Sequence, residues 1–186
     1  MTTKSAALVY QIKITLQDSK PPIWRRLLVM ESVSLYKLHQ IIQVAMGWTD
    51  SHLHQFVVGE EHYGFPSSED WRPVLDERRY RLNQIASSEN SKFVYEYDFG
   101  DSWDHVILVE KIQPSESGMK YPFCIKGKQA CPPEDVGGVW GYLEFLEAMS
   151  SSAHKEHDRY VEWIGEKFDP AKFDVDKVNQ ALRKIR

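Results

Sequence analysis

Lys92-Phe93-Val94-Tyr95-Glu96-Tyr97-Asp98-Phe99-Gly100-Asp101-Ser102-Trp103-Asp104-His105-Val106-Ile107-Leu108-Val109 decides how this chain is read. Aromatic and β-branched residues fill both arms, and Phe99-Gly100-Asp101 interrupts them. That pattern predicts two strands, 92–98 and 102–112, joined by a tight turn. Working back toward the N-terminus, Tyr10, Ile12, Ile14 and Leu16 alternate with Gln11, Lys13 and Thr15, as in a half-buried strand. Pro21-Pro22 breaks that strand, and Ile23 to Met30 reads as its returning partner. Ser34 is placed to cap a helix with apolar positions Leu35, Leu38, Ile41, Ile42 and Ala45, ending at Gly47. His52, His54, Phe56 and Val58 share one face of a further strand, with a turn at 59–61 leading to a short strand at Tyr63. Residues 65–79 lack a period and read as a loop, and 82–86 as a short helix.

Downstream of the hairpin, residues 113–137 carry four prolines and both cysteines and read as a long ordered loop. From 138 onward the period is helical. Trp140, Leu143, Leu146 and Met149 form one stripe, and Tyr160, Val161, Ile164 and Phe168 a second. Asp169-Pro170 is a cap-and-first-position pair, and Val175, Val178, Leu182 and Ile185 line a terminal helix. Strands first and helices last argue for one α+β domain: strand-rich over 8–112, loop over 113–137 and helical over 138–186. The expected architecture is a curved, mainly antiparallel sheet of about five or six strands packed on the helix at 35–46. Tryptophans 24, 48, 103, 140 and 163 are expected to anchor the core.

The 186 residues and 42% hydrophobic content suit one globular domain. Net charge is −4, and residues 61–137 hold 9 basic against 14 acidic groups, so a phosphate-binding stripe is disfavoured. Two cysteines cannot form a disulfide scaffold. No signal-peptide or membrane-spanning run is present, so the expectation is a cytoplasmic protein without a membrane partner.

Several motifs occur in order: Pro21-Pro22-Ile23-Trp24-Arg25-Arg26, Leu38-His39, Ala45-Met46-Gly47-Trp48, His52-Leu53-His54-Gln55-Phe56, Tyr97 to His105, Tyr121-Pro122, and Ala130 to Gly138 followed by Gly141-Tyr142. Together they resemble the plasmid pRiA4b ORF-3-like family over roughly residues 8–185. The resemblance implies a small α+β protein associated with plasmids and insertion elements. It carries over no catalytic residue or substrate. Relatives often have cysteine where this chain has Val136, which weakens any metal site shared through that position.

The principal candidate site is His52 and His54 on one strand with Asp98, Asp101, Trp103 and His105 on the hairpin. Imidazoles beside carboxylates suit a divalent metal or acid–base work around a small ligand. The competing reading has the aspartates capping the turn and the histidines bonded to backbone. A second candidate is structural zinc on Cys124, Cys131, His154 and His157, although Cys-x6-Cys is not a knuckle spacing. Arg25 and Arg26 point to opposite strand faces, so at most one joins a site. Residues 131–138 read as a rigid connector whose Glu134 and Asp135 would repel an anion from the helix that follows. Asp98-Phe99-Gly100 stands without the companion motifs of a kinase, and the common nucleotide and hydrolase signatures are missing. Three functions follow: a cytoplasmic binding or accessory protein of unidentified ligand or protein partner, a metal-dependent hydrolase using the His/Asp cluster, or a DNA-binding transposon-type regulator.

Overall fold

In the computed structural model, which describes residues 7–69 and 71–185, both arms of the predicted hairpin are strands. They are β6 (Lys92–Tyr97) and β7 (Trp103–Pro114), paired antiparallel with Tyr95 opposite His105 and Tyr97 opposite Trp103. Around them form β1 (Leu8–Leu16), β2 (Trp24–Met30), β3 (His54–Val58), β4 (Glu61–Gly64), β5 (Val74–Asp76) and β8 (Phe123–Lys128). One eight-stranded sheet results, in the order β5-β4-β3-β6-β7-β1-β2-β8, antiparallel except where β5 meets β4. The α+β expectation holds.

The helix α1 (Leu35–Met46) is capped as its sequence dictates. Ser34 Oγ accepts from Lys37 N at 3.2 Å, and Gly47, at φ 112°, closes the other end by donating to Gln43 O. Its Leu35, Leu38, Ile41, Ile42 and Ala45 are buried in one core with Ile12, Ile14, Leu27, Phe56, Tyr95 and Ile107 from the sheet. α1 has no basic residue in its last turn, but Arg25 supplies one from β2. The buried guanidinium donates from Nε to Ala45 O at 2.8 Å, and from Nη1 to the carbonyls of Trp24 and Lys128. The negative end of the helix dipole thus offsets a charge that has no carboxylate partner among the described residues. Arg26, on the opposite face, pairs with Glu110 through two bonds of 2.6 and 2.8 Å.

Several sequence expectations are corrected. The sheet has eight strands rather than five or six, because its edge strands β5 and β8 lie in segments without a clear apolar alternation. β5 follows Pro73 in the 65–79 segment and is three residues long. β8 lies inside 113–137 and pairs with β2 from Trp24 to Leu28. A Cβ at its Gly127 would meet the Phe173 ring at 2.5 Å, so any side chain there would have to displace that ring. His52 precedes β3 instead of belonging to it.

α2 (Leu82–Ile85) is a single turn; in the helical third α3 (Gly138–Ser150) packs with α4 (His157–Ile164), and α5 (Val175–Leu182) packs on β8 and α1. In α3 the buried face is Gly138, Tyr142, Phe145 and Ala148, while Trp140 is 83% exposed. The cause is close approach. A Cβ at Gly138 would lie 2.5 Å from Asp101 O, and one at Gly141 would lie 2.0 Å from Val136 O. These two glycines must face inward, and the stripe follows them. Asp169-Pro170 forms a turn, with Asp169 Oδ1 accepting from Ala171 N at 3.0 Å, and does not start a helix; α5 begins after Asp174, whose Oδ1 accepts from Asp176 N and Lys177 N. Of the expected tryptophan anchors, Trp48 and Trp103 are buried, Trp24 is half-buried, and Trp140 and Trp163 are exposed.

Candidate functional site

The β6–β7 turn sets the first cluster. Asp98 adopts φ 58°, a left-handed conformation that Asp tolerates better than most residues. Its Oδ1 accepts from Gly100 N at 2.9 Å, which is the turn-capping role. Its Oδ2 lies 3.6 Å from His52 Nδ1. The other ring nitrogen of His52 lies 3.1 Å from Asp135 Oδ1 and 3.8 Å from Glu134 Oε2. That Nε2 is buried, and the carboxylates lie off its hydrogen-bond direction, so it has no hydrogen-bond partner among the described residues. Glu134 is held by Thr49 N at 2.8 Å and by the Tyr97 hydroxyl at 3.1 Å. Burial first, and then Glu134, raise the Tyr97 pKa, so this phenol stays a donor. Ligand atoms of His52, Asp98 and Asp135 lie within 4.8 Å of one another.

Behind it lies a second cluster. His54 Nε2 is 2.9 Å from Oε2 of the buried Glu77. The His54 ring stacks on His39, with centroids 3.4 Å apart and planes 2° from parallel. Desolvation and the neighbouring His54 depress the pKa of His39 to about 4, so its ring is neutral near pH 7. Its partners then fix the tautomer. Nε2–H donates to Asp50 Oδ1 at 2.9 Å, and Nδ1 accepts from the Tyr95 hydroxyl at 2.8 Å. Tyr95 in turn accepts from the Gln43 amide, whose carbonyl receives Asp50 N–H. The circuit is closed, and every donor has an acceptor. His39, Asp50 and His54 also bring ligand atoms within 4.8 Å. Stacked rings are poor chelators, however. A nitrogen lone pair lies in its ring plane, and an ion about 2.1 Å from both nitrogens would sit well out of both planes. This pair is built for hydrogen bonding.

The remaining hairpin candidates lie elsewhere. Asp101 Oδ2 accepts from Gly137 N at 3.1 Å and serves the start of α3. Trp103 and His105 are fully buried. His105 Nδ1 donates to Tyr95 O at 3.2 Å, and burial brings its pKa down to about 4. Alternation placed both side chains correctly on one face, but that face is the core. The proposed zinc set is dispersed. No three of Cys124, Cys131, His154 and His157 bring ligand atoms within 4.8 Å. His154 Nδ1 accepts from Glu156 N, and His157 Nδ1 donates to Ala148 O, so local helix chemistry uses both rings. Burial raises the pKa of both thiols, that of Cys124 to about 11.

Both clusters border a cleft of about 770 Å³. Asp50, His54, Gln55 and Glu96 are among the residues lining it, together with the exposed apolar side chains Leu53, Phe65, Trp71 and Phe99. Sequence reasoning missed His39, Asp50, Glu77 and Trp71. His39 left one signal, being polar on the buried stripe of α1. Glu77 left none, since it arrives from a segment without periodicity.

A family model described as "Plasmid pRiA4b ORF-3-like protein" matches residues 8–177. The chain belongs to the plasmid pRiA4b ORF-3-like family. Among its relatives, uncharacterized protein y4hQ of Sinorhizobium fredii (strain NBRC 101917 / NGR234) is 39% identical over 178 residues, covering 95% of this chain and 91% of y4hQ. A crystal structure of MM3350 from Methanosarcina mazei Go1, a protein of unknown function, superposes with a TM-score of 0.85 at 39% identity. It covers 92% of this chain and 98% of MM3350. Three of the segments that carried the ORF-3-like resemblance, 52–56, 97–105 and 130–138, meet at His52. Val136, between them, is a buried core residue.

Proposed function

We propose that the protein is a cytoplasmic binding or accessory protein whose ligand occupies the cleft beside His52 and His54. One observation carries this reading: a cleft of about 770 Å³ gathers four exposed apolar side chains beside the hydrogen-bonded His54 imidazole and the carboxylates of Asp50 and Glu96. That size falls in the usual range for small-molecule sites, about 300–1,000 Å³. Trp71, 86% exposed, has little to gain from the fold and much from an occupant. His54 is held from behind by Glu77, which leaves the cleft side of the ring preorganised. No described helix is long and apolar enough to cross a membrane.

The test is substitution of the walls. Trp71→Ala and Phe65→Ala should each change unfolding free energy by less than about 0.5 kcal/mol, yet together abolish most of the fluorescence gain of Nile red added to the protein. Undiminished dye binding in the double variant would place the apolar site elsewhere.

A second reading, metal-dependent hydrolysis, is favoured by the His52, Asp98 and Asp135 grouping. An ion held there would supply an activated water. Calorimetric titration with manganese or zinc decides it: saturable binding lost in Asp135→Asn supports the reading, and no heat at millimolar metal ends it.

A further inference from the structure

The charge and shape of the cleft say more about its occupant. Asp50 offers one carboxylate oxygen to His39. Its Oδ2 has no protein partner among the described residues, and the side chain is half-exposed. Glu96 lines the same cleft, and its Oε2 accepts from the Gln55 amide. Arg72 is the one Lys or Arg among the described lining residues, and it is already engaged. Its guanidinium lies 4.7 Å from the Trp71 ring centroid and donates to Gln55 Oε1 at 3.3 Å. His39 behind Asp50 is neutral at pH 7 and adds no positive charge. Among the Asp, Glu, Lys and Arg side chains of the described lining, two carboxylates therefore face one committed cation.

The walls point the same way. The chain stacks its own guanidinium groups on two of the lining aromatics, Arg72 on Trp71 and Arg78 on Phe65, the latter at 5.2 Å. Aromatic faces attract flat cations through their quadrupole. An anionic ligand would meet Asp50 and Glu96, and a neutral apolar one would leave the free Asp50 oxygen without a donor.

We propose that the cleft binds a planar organic cation, a guanidinium, amidinium or protonated aminoheterocycle, with its face on the aromatic wall and its N–H groups on Asp50. This rests on the cleft being the ligand site. Asp50 supplies the charge-assisted acceptor, and the aromatic wall supplies the sequence-independent grip.

The experiment uses the intact chain, labelled with 15N, and three probes of one shape: benzamidine, benzamide and benzoate. Amide shifts around His54, Gln55 and Trp71 report occupancy. Benzamidine should bind at least tenfold more tightly than benzamide, with benzoate weakest. Asp50→Asn should bring benzamidine to the level of benzamide and leave benzamide unchanged. Asparagine tolerates the φ of 59° at position 50 and can still accept from His39. If that variant fails to fold, Glu96→Gln should weaken benzamidine in the same selective way. Benzamide equal to benzamidine at these amides, or benzoate tightest, would overturn the cation assignment while leaving the cleft as a binding site. Silence of these amides toward all three probes would overturn both.

Discussion

Two histidines are held neutral inside this fold, and each makes stability depend on pH. His39 and His105 are both buried, and desolvation lowers each from 6.5 to about 4. In the unfolded chain they protonate near pH 6.5, whereas the folded chain resists until about pH 4. Their contribution is therefore complete above pH 6.5 and is lost progressively as pH falls toward 4. Each group can contribute a slope of up to about 1.4 kcal/mol per pH unit. Urea unfolding between pH 6.5 and 5, above the range where most carboxylates titrate, should show this decline. His105→Gln, which keeps a donor for Tyr95 O, should remove about half of the slope. A flat profile across that window would mean that neither imidazole is held as described.

Among the elements, α3 shows how far a sequence pattern reaches. Its apolar residues fit two helical stripes, and the choice between them lies in tertiary contacts of Gly138 and Gly141, which periodicity cannot see. Gly141→Ala should cost more than about 2 kcal/mol, because the new methyl would meet a backbone oxygen, Val136 O, rather than a movable side-chain tip. Trp140→Ala, on the exposed face of the same helix, should stay within about 0.5 kcal/mol of the parent. Thermal melts of both variants check the pair. Equal costs would return α3 to the stripe read from sequence. Edge strands escaped notice for a related reason. β5 has three residues, and β8 contains Gly127 behind Pro122 and is defined by its pairing with Trp24 to Leu28 of β2.

At the scale of the molecule, the sheet and α1 were legible because alternation and capping are local. The β6–β7 hairpin fixed the centre of the sheet, and Ser34 and Gly47 fixed the helix. The candidate site was legible only in part. His52, His54 and Asp98 were identified, since polar residues at strand ends and turns carry a chemical signal. Asp101, Trp103 and His105 were grouped with them although each points to another task, because sequence gives a side chain's face and not its partner. Glu77 and Asp50 come from segments brought in by the fold, and Trp71 is informative only through its exposure.

The central claim is that the cleft beside His54 is a ligand site. Its most direct test is a fragment screen on the 15N-labelled chain, mapped by amide and indole shifts and repeated on Trp71→Ala. The account expects the hits to converge on His54, Gln55 and the Trp71 indole and to disappear in the variant. Hits that cluster on another surface, or that survive the loss of Trp71 unchanged, would contradict it.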